Sequence, residues 1–410
     1  MFSKSPSWLK RYKSPALPPI KWEKEGGFFI PPEVKIPVAA GEALLVKKGE
    51  RVLAGQPLGR DHQGVMTHAT LSGSVSQIDD GFQIDGRRTK EVIIRQEGQQ
   101  TMIPLEKPQL EGKEDFLRAL ADMGIGNFQS GPYQAVLVNG TEYEPCLVTA
   151  KEELASNWPS LLAGMAGVRK HLALQRAVVV LDESGPAFEA PAATTIRVPR
   201  SYPKGADAQL TELVFGKDMD PGKVLFLDLY ELAAIGEFLV SGMPRLKRRL
   251  TAAGQALAHP QTLTVPIGTS AMDVAGFCGG LRERAVKIVF GGPLTGQAAL
   301  SSGQPVTRDT DGMLFLTLDE ARRREETPCI RCGVCIGICP AGLNPAVIDQ
   351  QIRGWKKTGL EKYDASSCLF CGSCAFICPA GRHLSQSLQL AKNALAARDF
   401  SKTTKDPEGV

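Results

Sequence analysis

CIRCGVCIGICP, residues Cys329–Pro340, and CLFCGSCAFICP, residues Cys368–Pro379, are two copies of one cysteine pattern late in a chain of 410 residues. In each copy, two residues separate the first three cysteines from one another, and a fourth cysteine stands directly before a proline. Bacterial ferredoxins that carry two clusters have this spacing. The pattern therefore predicts two [4Fe–4S] clusters and a protein that passes electrons.

The spacing also predicts how the eight thiols are divided between the clusters. A tight loop with three cysteines can wrap three corners of one cube, whereas the fourth cysteine reaches only the other cube. The two predicted ligand sets are Cys329, Cys332, Cys335 and Cys378, and Cys368, Cys371, Cys374 and Cys339. We expect apolar neighbours to shield both cubes from water, namely Ile330, Ile336, Ile338, Leu369, Phe370, Phe376 and Ile377.

Structural zinc and disulfides are the alternatives for a chain with ten cysteines. Zinc fingers use pairs of Cys-x-x-Cys rather than two triplets that each lead to Cys-Pro. The basic N-terminus has no apolar run after it, so we expect no signal peptide and a reducing compartment, in which disulfides are rare. Cys146 and Cys278 lie outside the arrays and are expected to be small buried apolar residues.

Composition excludes several classes of protein. The formal charge of +4 arises from 48 basic and 44 acidic residues, which is too small an excess to indicate nucleic-acid binding. The most apolar stretch, 224–240, contains Asp228, Glu231 and Glu237, so we expect no transmembrane segment. A hydrophobic fraction of 43% is that of a protein with well-formed cores.

The chain before the cysteines changes pattern twice. Residues 31–98 alternate short apolar stretches with glycine turns, which predicts a small β barrel or sandwich. Residues 112–244 alternate helical stretches with apolar strands at Ala135–Val138, Ala177–Leu181 and Lys223–Leu229, which predicts an α/β unit with a mainly parallel sheet. The remaining expected segments are an irregular arm at 1–30, a small α+β module at 245–320, the cysteine domain at 321–397 and a disordered polar tail at 398–410.

A candidate nucleotide or flavin site lies at the start of the α/β unit. Gly124 and Gly126 would let the backbone approach a phosphate, although an ordinary glycine turn explains them equally well. Asn139-Gly-Thr-Glu-Tyr-Glu-Pro145 follows the strand Ala135–Val138 and offers two carboxylates to the hydroxyl groups of a ribose or ribityl chain. The alternative for these acids is a solvated helix N-terminus, where the helix dipole favours them.

Nearly the whole chain resembles the RnfC family, a component of the Rnf complex, the ion-translocating ferredoxin:NAD oxidoreductase. That family is similar to the flavoprotein component of respiratory complex I. The double cysteine array stands at the C-terminal place expected for the family. The other stretches that carry the resemblance are Gly49–Gly59, His68–Val75, Asn139–Pro145, Tyr202–Ala206, Gly254 with Val265–Gly268, and Gly291–Gly296.

The resemblance implies a multidomain α/β plus small-β architecture. Its parts would be an N-terminal barrel-sandwich hybrid (31–98), a Rossmann-like domain of the FMN/NAD type (112–244), a β-grasp, SLBB-like module (245–320) and a dicluster ferredoxin-like domain (321–397). It also implies that NAD(H) exchanges hydride with bound FMN. The residues that match the family's flavin site are Gly124, Gly126, Phe128, Asn139, Glu142 and Glu144.

From this resemblance, the chain is expected to be an oxidoreductase subunit that passes electrons between NAD(H)/FMN and partner iron–sulfur proteins. Its expected partners are the other Rnf-like membrane and iron–sulfur subunits and ferredoxin, and its expected place is the cytoplasmic face of the plasma membrane. The sequence assigns no catalytic residue.

One departure from the family leaves two other functions open. The family's loop reads Gly-x-Gly-Gly-Ala-Gly-Phe-Pro-Thr, whereas the matching stretch here, Asp122–Ser130, keeps Gly124 and Phe128 and has side chains at other glycine positions. One alternative is a flavin-free iron–sulfur relay with a degenerate nucleotide domain. The other alternative is a reductase component that serves another enzyme.

Overall fold

The computed structural model describes residues 29–129, 131–142, 144–183, 185–190, 193–203, 205, 207–322 and 325–396. The predicted tail lies outside these residues, and so does the predicted arm except for Phe29 and Ile30. Within the described ranges, no helix has the length and apolar character needed to cross a membrane.

The N-terminal part is a small antiparallel β structure. Its strands are β1 (Glu33–Ala39), β2 (Arg51–Val52), β3 (Pro57–Arg60), β4 (Met66–His68), β5 (Gly73–Phe82) and β6 (Arg88–Gln96). One sheet has the order β1-β6-β5-β2, and β3 pairs with β4 in a second sheet. Val34, Ile36 and Val38 alternate along β1 and are buried in the core between the sheets, as the two-residue period of a strand requires.

The middle part is the α/β unit that the apolar strand segments predict. Its elements are α1 (Lys113–Asp122), β7 (Ala135–Gly140), α2 (Ala150–Ser156), α3 (Trp158–His171), β8 (Arg176–Asp182), β9 (Thr194–Val198), α4 (Asp207–Phe215), β10 (Val224–Asp228) and α5 (Leu229–Ser241). All strand pairs are parallel, in the order β10-β7-β8-β9. After β7, the chain adds β8 and β9 on one side of that strand, and β10 then pairs with its other side. The strand order therefore reverses between β7 and β10.

Two glycines set the distance between helices α3 and α5. A Cβ atom at Gly164 would lie 2.1 Å from the carbonyl oxygen of Leu232, and one at Gly236 would lie 1.8 Å from that of Ser160. Larger residues would push the helices apart, because no Cβ tolerates so short a contact with backbone. Close packing of these two helices therefore depends on glycine at both positions.

The third part is a mixed five-stranded sheet crossed by one helix. Its elements are β11 (Lys247–Ala253), β12 (Gln261–Pro266), α6 (Ala271–Phe277), β13 (Lys287–Phe290), β14 (Gln297–Ala298) and β15 (Gly312–Leu316). The strand order is β12-β11-β15-β13-β14, with β11 and β15 parallel and the other pairs antiparallel. Cys278 is fully buried in this core, as predicted for a small apolar residue.

The cysteine-rich part is built from short helices. They are α7 (Val334–Ile338), α8 (Pro345–Arg353), α9 (Lys357–Lys362), α10 (Ser373–Ile377) and α11 (Leu384–Ala396). Helix α8 packs on α11 through Ile348, Ile352 and Leu388. This apolar contact joins the segment between the two cysteine arrays to the segment after them.

Candidate iron–sulfur site and its surroundings

The two cysteine loops have the same backbone conformation. The residue before the second cysteine has a φ of 57° at Arg331 and 54° at Phe370. The glycine after that cysteine has a φ of 74° at Gly333 and 72° at Gly372, and it begins a short helix in both loops. Left-handed residues so close together curl the chain tightly around its own thiols. The repeated sequence therefore produces a repeated geometry.

The eight thiols lie around two separate cavities. One cavity is lined by Cys329, Cys332, Cys335 and Cys378, which we call the first thiol group. The other is lined by Cys339, Cys368, Cys371 and Cys374, the second thiol group. Each cavity receives three cysteines from one array and the fourth from the other array. This grouping coincides with the two predicted ligand sets, while the binding of iron by these thiols stays a prediction.

The set of donors around each cavity fits an iron–sulfur cluster. Burial raises the pKa of Cys374 to about 12, and the neighbouring thiols of Cys368 and Cys371 add to this effect. Thiols in such a group become anionic when a metal centre compensates their charge. Four cysteines around one cavity are the donor set of a [4Fe–4S] cluster. No three of the described His, Cys, Asp or Glu side chains are arranged to hold a single metal ion.

Backbone amides approach two of the sulfur atoms in the second thiol group. The amide of Leu343 donates to Sγ of Cys339, and that of Phe370 donates to Sγ of Cys368, each across 3.4 Å. Hydrogen bonds to cluster sulfur raise the reduction potential of a cluster because they stabilise negative charge. The chain therefore has groups in place to adjust that potential.

A buried carboxylate supports the first thiol group. Asp349 on α8 is 2% exposed and accepts hydrogen bonds from Nε of Arg353 at 2.9 Å and Oγ of Ser387 at 2.6 Å, and a further one from Arg382. Burial raises the pKa of Asp349, but the hydrogen bonds from Arg382, Ser387 and Arg353 outweigh burial and lower it overall. Because Arg382 follows Cys378 closely, this network holds the last cysteine of the first thiol group against α8.

The second cysteine loop is covered by two distant parts of the chain. The Tyr202 hydroxyl donates to the carbonyl oxygen of Cys371. A Cβ atom at Gly372 would lie 2.4 Å from the carbonyl oxygen of Leu294. The amide of Leu294 in turn donates to Oε1 of Glu144 at 2.9 Å. The second thiol group is therefore connected through Leu294 to the acidic segment that follows β7.

The predicted glycine loop lies against the N-terminal β structure. A Cβ atom at Gly124 would lie 3.1 Å from the carbonyl oxygen of Met66 and 3.3 Å from Nδ1 of His68. A Cβ atom at Gly126 would lie 2.8 Å from the ring of Phe128, which itself packs on the α/β core. These contacts occupy the space next to the loop with protein.

The predicted acidic residues are engaged with other parts of the chain. Asn139 donates to the carbonyl oxygen of Gly205 at 2.8 Å. Glu142 is buried and accepts the amides of Thr149 and Lys151 at 3.2 and 2.9 Å, which caps the start of α2. Glu144 is 3% exposed and accepts the amides of Leu294 and Thr295.

The six residues predicted to hold FMN do not surround one common space. Asn139 lines a cavity of about 260 Å³, whereas Gly124 lines a different one of about 430 Å³ between the N-terminal β structure and the five-stranded sheet. In this arrangement the six residues do not fit a flavin, so we derive no step through one. Their assignment stays a prediction.

Apart from Asn139, sequence reasoning did not assign a site role to the residues at the strand reversal. The cavity lined by Asn139 lies at the carboxyl ends of β7 and β10, where open parallel sheets bind ligands. Asp228 caps α5 by accepting the amide of Glu231 at 2.5 Å, and Arg248 reaches it at 3.4 Å. The sequence signal that could have identified this site is Asp228, an acid directly after the apolar strand 224–227.

We expect Glu142 to make stability depend on pH. Burial raises its pKa to about 7, against an ordinary value of 4.5. The folded chain thus retains a proton that the unfolded chain releases. This contribution to the free energy of unfolding is complete below about pH 4.5 and is lost as the pH rises through about 7.

Relative to Glu142→Gln, which cannot titrate, the wild type should lose about 1–3 kcal/mol of stability between about pH 5 and 8. Thermal unfolding of both proteins across that range measures the difference. Glu212→Gln, at an exposed carboxylate on α4, is the control. If the stability of the wild type and of Glu142→Gln changed with pH in parallel, the raised pKa of Glu142 would be ruled out.

Two family descriptions match this chain. Residues 328–382 match the 4Fe-4S dicluster domain, which covers both cysteine arrays. Residues 23–99 match the RnfC barrel sandwich hybrid domain, which covers strands β1 to β6. The N-terminal β structure is therefore a barrel-sandwich hybrid domain, and the cysteine-rich part is a dicluster ferredoxin domain.

Curated relatives are similar to the chain over most of its length. The RnfC protein of the Na(+)-translocating ferredoxin:NAD(+) oxidoreductase complex of Acetobacterium woodii is 31% identical over 425 aligned positions, covering 95% of each chain. Its counterpart in the proton-translocating complex of Clostridium ljungdahlii is 29% identical, covering 78% of each chain. Among solved structures, an NAD+-reducing [NiFe]-hydrogenase matches with a TM-score of 0.45 and 14% identity over 72% of this chain and 68% of that one.

Proposed function

This chain belongs to the RnfC family, whose members are subunits of ion-translocating ferredoxin:NAD(+) oxidoreductase complexes, and from that premise we propose that it passes electrons between the NAD(H) side of such a complex and partner iron–sulfur proteins. The observation that carries this proposal is the arrangement of eight cysteines in two groups of four. Each group has three cysteines from one array and the fourth from the other array. When bound, two [4Fe–4S] clusters would transfer electrons one at a time.

The protein's own residues position the two thiol groups and keep three of the eight thiols away from water. Because Cys339 and Cys378 each belong to the opposite group, the two cavities are tied together by short stretches of chain. Cys335, Cys368 and Cys374 are each 8% exposed, so these thiols lie away from solvent. Packing of α8 on α11 holds the two arrays in place.

We also propose where the chain acts and with what partners. The named activities of its relatives are those of ion-translocating complexes, which supports binding to the other subunits of an Rnf-like complex and exchange of electrons with ferredoxin. Since NAD(H) is the second redox partner in the relatives' names, we place the chain at the cytoplasmic face of the membrane, held there by those subunits. The boundaries 31–98, 112–244, 245–320 and 321–397 are our proposed domains, with the third as the β-grasp module.

A second candidate is favoured by the packing around the glycine loop. Met66 and His68 lie where a ligand would approach Gly124, and Glu142 and Glu144 bind backbone amides of the chain itself. A flavin-free relay, in which the α/β unit is scaffold, accounts for this packing. In that case NAD(H) would react at another subunit.

Cluster and flavin content test both candidates. Anaerobic reconstitution of the full chain should give about eight iron and eight sulfide per chain, with visible absorbance that bleaches on reduction. Four or fewer iron per chain would contradict the proposed function. FMN released on acid treatment of the same sample supports flavin chemistry in this protein, whereas stoichiometric clusters without FMN identify the relay.

A further inference from the structure

The two cysteine loops have the same sequence pattern and backbone but opposite surroundings. The second loop is covered, since Gly372 is buried against Leu294 and Tyr202 binds the carbonyl oxygen of Cys371. In the first loop, Cys329 and Cys332 are exposed, and a Cβ atom at Gly333 would meet no atom within 4 Å. The contacts that cover one loop have no counterpart at the other among the described residues.

The expectation that apolar neighbours shield both clusters is wrong for four of them. The exposed fractions are 65% for Ile330, 42% for Ile336, 51% for Phe376 and 36% for Phe370. The curled loops turn their sulfur atoms towards the cavity, so side chains between the cysteines are left on the outer side. Groups of large exposed apolar side chains are typical of protein-binding surfaces. Ile336 lies on α7, Phe376 on α10, which packs against α7, and Ile330 in the loop before α7, whereas Phe370 lies in the second loop with Nζ of Lys392 5.0 Å from its ring centroid.

The first cysteine loop, which has no such cover, also carries a positive charge. Arg331 stands between Cys329 and Cys332 and is exposed. No ion pair joins its guanidinium group to any carboxylate of the described residues. A partner with carboxylates on its contact face would complement this charge and would associate faster for that reason.

We propose that the open loop, residues 329–336 with Phe376, is the docking surface for a small acidic iron–sulfur protein, and that electrons enter or leave the chain at the first thiol group. The second thiol group then faces the chain's own α/β unit through Tyr202 and the five-stranded-sheet part through Leu294. One electron leaves the reduced partner and is gained by the cluster of the first thiol group, with no bond formed or broken. This inference rests on the proposed function, because it needs both clusters to be bound.

The test uses the full reconstituted chain and a chemically reduced, acidic two-cluster ferredoxin as the probe. Stopped-flow absorbance records the rate at which the ferredoxin reduces the clusters. Arg331→Glu should lower this rate about tenfold at low ionic strength, and the difference should shrink as salt screens the charges. Ile330→Ser should lower the rate at every salt concentration. Arg118→Glu on α1, 71% exposed, changes the net charge equally and should react as the wild type does.

Reduced methyl viologen separates docking from cluster chemistry, because so small a reductant needs no protein interface. Both loop variants should hold about eight iron and react with viologen at the wild-type rate. Wild-type rates with ferredoxin in both loop variants, or an equal loss in Arg118→Glu, would overturn the docking surface and leave the proposed function standing. Clusters that viologen cannot reduce in the wild type would overturn the proposed function itself.

Discussion

The Cys339→Ser variant, reconstituted anaerobically, is expected to hold about four iron and four sulfide per chain, half of the wild-type content. The lost cluster should be that of the second thiol group, although Cys339 belongs to the first array. The reason is geometric, since Cys339 faces the same cavity as Cys368, Cys371 and Cys374. A serine hydroxyl is a poor ligand for iron–sulfur clusters, which select soft thiolates.

Double variants identify which cluster has been lost. Cys339→Ser with Cys371→Ser should still hold about four iron, because both changes affect one cluster, whereas Cys339→Ser with Cys332→Ser should hold almost none. Cys278→Ser, at a buried cysteine of the five-stranded sheet, is the control and should keep both clusters. If ligation were not crossed, the two double variants would exchange their iron contents, and the predicted ligand sets would be wrong.

Replacing Gly372 with alanine should destabilise the protein by about 3 kcal/mol, whereas the same change at Gly333 should cost about 1 kcal/mol. Both glycines have a positive φ, 72° and 74°, so both variants bear the same backbone strain. Only at Gly372 would the new methyl group meet backbone, 2.4 Å from the carbonyl oxygen of Leu294. The difference between the variants isolates the covering of the second loop.

Thermal unfolding and the rate of iron loss to a chelator measure this pair of variants. Gly372→Ala should release iron faster, and the faster release should concern the cluster of the second thiol group. The matched positions control for the left-handed backbone, because the two glycines occupy the same place in the repeated loop. If Gly372→Ala and Gly333→Ala had equal midpoints of thermal unfolding and released iron at equal rates, Leu294 would not press on the second loop.

Much of the fold follows from patterns that are local in sequence. The strands β7, β8 and β10 are largely buried on both faces, so their apolar runs mark them clearly. Among the helical stretches of the α/β unit, α2 and α3 are separated at Asn157, because Pro159 near the start of α3 cannot donate a backbone hydrogen bond. The sequence did not predict strand β11, because it begins with three charged residues, Lys247, Arg248 and Arg249. Pairing with β12 and β15 in the folded sheet places this segment in a strand.

The candidate site also combines features that local sequence patterns predicted with features that depend on tertiary contacts. Spacing alone predicted which cysteines meet, and the structure places them in those groups. Glu142 does lie at a helix N-terminus, the alternative named for these acids, although it is buried there rather than solvated. The surroundings of Glu144 were beyond prediction, because its hydrogen-bond partner Leu294 is brought to it by folding. Whether those carboxylates face a ligand or the chain itself depends on contacts that no local pattern records.

By itself, then, the sequence determined the two cysteine loops, because these depend on residues a few positions apart whose geometry the backbone imposes. It also predicted the crossed grouping, since the fourth cysteine of each loop reaches only the other cluster, and it indicated the family through matches along nearly the whole chain. Only the tertiary structure decided that one loop is covered by Tyr202 and Leu294 while the other is open. The two loops are nearly equivalent as sequences. They differ because segments far away in the chain pack on one of them, and long-range packing of this kind is set by the whole fold.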